Sequence, residues 1–288
     1  MTLATRAAPR RVRAEQPDPS EWWQAEIAAA DQHEAALRDG LQSAWSIHQT
    51  DVWRVAAALA TNDSGLLNQR LHLRQIDASV GAALFEELCL GVLWSAEHEA
   101  LTFAVPVPNT AAITWARQRA AKLVSDISAE QRRSIQEIIA NGLQVKRKFE
   151  DIAASLEDAI GLHPRYANAV ARYRAGLVAA GDQRAGAKAR AYAARLRASR
   201  ALAIARTESM TAINVGKLLN WKARQDLGLL KKNARKGWGV TPDDRLCPTC
   251  QKMRGKSVLL GKQFQTPWGA LDGPPGHANC RCVVRLIP

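Results

Sequence analysis

The chain has 288 residues, 47% of them apolar and 23% charged, and carries a formal net charge of +13. That length can bury a core in one or two domains. No run of ~18 uncharged apolar residues occurs, which excludes a membrane-spanning helix. The arginines of 1–19 lack the apolar core of a secretory signal, so the cytosol, where thiols stay reduced, is the expected site of synthesis.

Residues 1–20, with three prolines and few apolar side chains, read as a disordered basic tail. Ser20 is placed to cap a helix reaching about residue 50, anchored by Trp22, Ile27, Leu37, Leu41 and Trp45. A second helix is expected over 51–60, then a turn at 61–65. Val80, Leu84, Leu88 and Val92, spaced three to four apart, predict a helix over 77–99. The prolines of 101–108 forbid helix and predict an extended linker. A helix over 111–124 follows. Ser128 and Gln131 form a capping box that opens a new helix ending at Asn141-Gly142. Further helices are expected over 146–160, ending at Gly161, and from Pro164 to about 180. An alanine- and arginine-rich helix over 184–205 then precedes another over 207–228, with Thr207 as N-cap and Arg206 bonding within the C-terminal region. Past Gly228 glycine, proline and tryptophan rise, and 236–240, 257–260 and 283–287 read as short strands. The expected fold is mainly α: a helical body followed by a small C-terminal α+β module. Its regions are a tail at 1–20, an N-terminal helical region at 21–105, a helical body at 106–182 and the module at 183–288.

The charge is uneven. Between Gln183 and Val240 fourteen lysines and arginines face only Glu208 and Asp226. Such a block attracts a polyanion. The candidate nucleic-acid contacts are Arg184, Lys188, Arg190, Arg195, Arg197, Arg200, Lys231, Lys232, Arg235 and Lys236. With three tyrosines and four phenylalanines in the whole chain, a dedicated single-strand stacker is not expected.

Four of the five cysteines lie near the C-terminus, in Cys247-x-x-Cys250 and His277-x-x-Cys280-x-Cys282. Two thiolates three positions apart on a tight turn can reach one ion at ~2.3 Å. Cysteines at i and i+2 on extended chain share a face but are poor disulfide partners. Five donors are on offer for a tetrahedral site needing four: Cys247, Cys250 and Cys282 with either His277 or Cys280. A closed set of this kind makes a structural zinc site, which would staple a tail with few large apolar residues. Reduced structural thiols and disulfides are the other readings. No phosphate loop, nucleophile elbow or HExxH motif occurs, so no enzymatic activity is expected.

The ordered residues Arg206-Thr207-Glu208, Asn214, Trp238, Asp244, the Cys247–Cys250 knuckle and His277 with Cys280-Arg281-Cys282 resemble the phage Mu F-like head morphogenesis family. The resemblance is specific over 204–282 and looser from about 111. It implies a minor head protein of a tailed phage, built into the procapsid and virion after assembly in the host cytoplasm. Portal protein, capsid or scaffold components and phage DNA would be its partners. Two other readings stand beside it: a zinc-knuckle nucleic-acid-binding protein without a capsid role, and an enzyme using Arg206, Glu208 and a metal.

Overall fold

A computed structural model describes residues 23–46, 52–101, 109–242 and 246–287. The expected tail at 1–20, the Ser20 cap, residues 102–108 of the expected linker, and Asp244 lie outside the described residues. The described chain is mainly α with a small C-terminal sheet region, as the sequence predicts. Nine helices occur among the described residues: α1 (Gln24–Ser46), α2 (Val52–Ala60), α3 (Ser64–Arg70), α4 (Leu73–Leu101), α5 (Asn109–Gln144), α6 (Phe149–Ala159), α7 (Pro164–Ala179), α8 (Ala185–Asp226) and the one-turn α9 (Pro248–Gln251). The strands are β1 (Arg235–Gly239), β2 (Ser257–Leu259), β3 (Phe264–Thr266), β4 (Gly269–Leu271) and β5 (Val283–Ile287).

Two helix boundaries expected from capping chemistry are absent. α5 runs through Ser128, whose hydroxyl donates to Asp77 Oδ1 at 2.5 Å instead of to its own backbone. Gln131 is buried, and its side chain serves the α6–α7 turn. α8 likewise runs through Thr207, which donates back to the Ala203 carbonyl at 2.7 Å rather than capping a new helix. No glycine or proline interrupts 109–141 or 187–215, so nothing in either backbone forces a stop. Missed at the sequence level is the Asp63 cap of α3, whose carboxylate accepts from Leu66 N–H at 2.8 Å. Nor does the sequence pattern announce the β3–β4 hairpin, which turns at Gly269, with φ +106°.

The described residues divide into two compact units, one from 31–89 and 114–209 and one from 23–30, 90–113 and 210–287. The first is all helical and packs Leu37, Leu41, Trp45, Leu84, Leu88, Ile152, Leu156 and Ile160 out of solvent. A close approach within it lies at Gly161, just past the end of α6. There φ is +75°, and the Trp45 ring lies 2.7 Å from where a Cβ would stand, so only glycine fits. Gly161 N–H donates to Gln131 Oε1 at 2.7 Å, and its carbonyl accepts from Arg200 at 2.9 Å. Arg197 donates to the Asp158 and Ile160 carbonyls. Together Arg197 and Arg200 close the C-terminal end of α6, where helix carbonyls lack partners and the dipole favours cations.

The second unit contains the sheet, antiparallel in the order β2-β1-β5. Its helical part buries Ile27, Ala29, Ala30, Met210 and Ile213 against Val283 of β5, with Trp23 and Trp94 packed alongside. Lys217 and Glu26 form a buried ion pair within it.

Gln131→Ala removes the acceptor of a buried N–H and opens a cavity. It is expected to destabilise the helical unit by about 1–3 kcal/mol, read as a lower urea midpoint at unchanged slope.

Candidate metal centre

The C-terminal module is built on β1, and it is small enough that its cysteines form part of its core. Trp238, Val240, Met253 and Phe264 pack with the buried Cys250, Cys280 and Cys282. Trp238 stands edge-on to Phe264 and stacks on Trp268, which covers the His277 ring at 5.3 Å. Gly276 lets that indole lie close. A Cβ there would stand 2.4 Å from Trp268, so any side chain would displace the ring that holds His277.

The knuckle forms because Cys247 caps α9. Its sulfur accepts from Cys250 N–H at 3.2 Å, and Pro248 fixes the first turn. Across from it, Cys280 N–H donates to the His277 carbonyl, tightening the second half. The two halves meet. His277 Nε2 lies 3.3 Å from Cys247 Sγ and 3.1 Å from Cys250 Sγ, and Cys250 Sγ lies 3.7 Å from Cys280 Sγ. The donor atoms form two triads, Cys247/Cys250/His277 and Cys250/Cys280/Cys282, each within 4.8 Å, with Cys250 common to both. All five cysteines of the chain are free thiols.

This donor set fits a thiophilic ion. His277 Nδ1 faces the Ala278 carbonyl at 2.7 Å, which can only accept, so the ring proton sits there and Nε2 offers its lone pair to the sulfurs. Hydrogen bonding from Cys282 brings the Cys280 thiol down to about 5, against burial, which favours its thiolate form. Its bond to Cys280, with burial, pushes the Cys282 thiol up, and burial beside the Cys280 charge pushes up Cys250. Burial also opposes ionisation of Cys247, but hydrogen bonds from Cys250 and Thr249 and the nearby His277 together outweigh it, and the thiol is lowered. The indole nitrogen of Trp238 is buried with no oxygen or nitrogen acceptor, and it stabilises the Cys282 thiolate form. No carboxylate belongs to either triad.

Asn214 ties the module to α8. Its Nδ2 donates to the Cys282 carbonyl at 3.2 Å, and its Oδ1 accepts from Val284 N–H at 2.7 Å. The carboxamide thus continues the hydrogen bonding of β5 on the side away from β1, one residue beyond the last cysteine.

A family model described as Phage Mu protein F like protein matches residues 133–285. The chain belongs to that family. It is therefore a phage head morphogenesis protein by family, with virion localisation and interaction with other head components implied, and no helix among the described residues is long and apolar enough to cross a membrane. Compared with curated proteins and with solved structures, the chain matches none.

The family-motif residues do different work. Trp238 and Asn214 build the module, as described. Arg206 pairs in a fork with Glu34, at 3.0 and 2.9 Å, not with a group of the C-terminal region. Glu208, buried, holds Arg119 at 2.7 and 2.6 Å. Both pairs lie in the helical unit, and neither acid belongs to a donor triad. Of the ten candidate cations, Arg200 and Lys236 are buried, Lys236 under the Phe264 ring, and Arg197 is spent on carbonyls. Arg184, Arg190, Arg195, Lys231, Lys232 and Arg235 are exposed, and Lys188 is half-buried.

Asn214→Leu leaves the Val284 N–H and the Cys282 carbonyl without partners in a buried site. An expected loss of about 1–3 kcal/mol would show as early loss of the tryptophan signal of the module in urea. Asn214→Gln, whose longer amide cannot bridge the same pair, should not restore it.

Proposed function

We propose that this chain is a minor head protein of a tailed phage, carried at the portal and supporting head assembly and the packaging or delivery of DNA. Family membership carries the first part of the reading. The DNA part rests on seven cations of 184–235 that reach solvent. Nothing in the arrangement of Arg206 and Glu208 calls for catalysis, since each is committed to an ion pair, and the role proposed is structural rather than enzymatic. Co-expression with the portal protein encoded by the same genome, followed by affinity capture, is expected to bring the two down together. Absence of this chain both from captured portal and from purified heads would overturn the reading.

The Cys/His cluster is proposed to hold one zinc ion in a closed, structural site. Cys250 is an obligatory ligand, with three of Cys247, His277, Cys280 and Cys282 completing the set. Zinc there would fix the knuckle against β5 and supply no reactive position. Metal analysis of purified protein should give about one zinc per chain. Cys250→Ser, which breaks both triads, should abolish binding, whereas Cys89→Ser should not. Because thiolate and neutral imidazole are the binding forms, acidification should release the ion. A metal-free protein whose melting temperature ignores chelator would remove the staple.

A further inference from the structure

All three tyrosines of the chain lie on one helical hairpin, Tyr166 and Tyr173 on α7 and Tyr192 on α8. Tyr173 and Tyr192 meet edge to face at 5.4 Å and line an open groove of about 600 Å³ with Ala169, Ala191, Lys188 and Arg195. On α8 the lining residues fall at 188, 191, 192 and 195, a single stripe of an α-helix, and Arg184 extends it by one turn. The two alanines open the floor. Arg195 lies over the Tyr192 ring at 5.3 Å, so its guanidinium is held in place by a face that costs it no charge. Among the described residues no carboxylate pairs with Arg195, and none lines the groove. The nearest acid, Asp182, holds Lys188 and accepts from Arg184 N–H at the start of α8.

We propose that this α7–α8 groove is the DNA-contacting surface of the chain, with Lys188 and Arg195 on backbone phosphates and the Tyr173 and Tyr192 hydroxyls as neutral donors beside them. The proposal rests on the DNA contact put forward above and assigns it to one place. Charge and shape favour DNA over an acidic protein helix. From Arg184 to Arg195 the cations follow about 16 Å of helix axis, a length over which a duplex presents a phosphate charge every ~1.7 Å. Arginine, lysine and tyrosine are among the side chains that bind phosphate oxygens, and an apolar helix would find only alanine methyl groups between the rings. Asp182 acts as a competitor, because phosphate and carboxylate seek the same ammonium.

The test is fluorescence anisotropy of the full chain with a labelled duplex oligonucleotide, titrated from ~50 to ~200 mM salt. The Lys188→Ala/Arg195→Ala variant should bind several-fold more weakly, with a slope of log affinity against log salt smaller by about 2. Asp182→Asn keeps a side-chain acceptor for Arg184 N–H but frees Lys188. It should bind more tightly than wild type, a gain that misfolding cannot produce. If both groove variants bind like wild type while Lys231→Ala/Lys232→Ala loses affinity, DNA contact stands and the groove assignment falls. Wild-type protein that fails to bind at ~50 mM salt removes the DNA reading and the groove together. Displacement of an acidic polypeptide, but not of DNA, by the groove substitutions would assign the groove to a protein partner and overturn the proposal.

Discussion

The constraint that organises this structure is that backbone polar groups at the ends and edges of elements need partners, and α8 supplies them from its side chains in each unit. In the helical unit, Arg197 and Arg200 take the carbonyls left over where α6 ends. In the C-terminal unit, Asn214 takes one donor of β5 and the Cys282 carbonyl just before it. Each closure uses a side chain whose hydrogen-bonding pattern matches the gap: guanidinium for convergent carbonyls, carboxamide for a strand. A polar contact of this sort contributes little net stability when made and costs much more when lost. The fold therefore depends on these few groups out of proportion to their number.

The same logic sorts the basic block. A run of fourteen cations and two acids invites a single explanation, but the block serves three ends. Arg197 and Arg200 cap a helix, and burial pushes the guanidinium affinity of both for protons down without making them neutral. Arg206, Lys217 and Lys222 answer carboxylates at Glu34, Glu26 and Asp226. What is left for a partner is a smaller set, and part of it forms one stripe on α8. Net charge along a sequence measures neither accessibility nor pairing, which the fold decides.

The sequence made legible those features that depend on local chemistry. The glycine after α6, the proline opening α7, the three strands of the main sheet and the converging cysteines can each be read from neighbouring residues. Long-range satisfaction could not. Ser128 and Gln131 have the spacing of a capping box, and the pattern misleads because Asp77 and the Gly161 turn, distant in sequence, claim both side chains. Thr207 misleads in the same way, since a threonine inside a helix can return its hydroxyl to the carbonyl four residues back. The rarity of tyrosine in the sequence argues against a stacking surface, and only the fold of the hairpin brings all three onto α7 and α8. Asn214 was legible as a motif position but not as a strand-edge partner, because β5 begins 69 residues later.

The edge of β5 has a consequence for a chain that assembles with others. An outer strand with free amide and carbonyl groups is a template for a strand of a neighbouring molecule. Unchecked pairing of that kind leads to aggregation. Here the first half of that edge is already taken by a side chain of the same molecule. Part of the module's sheet is thus withheld from strand exchange.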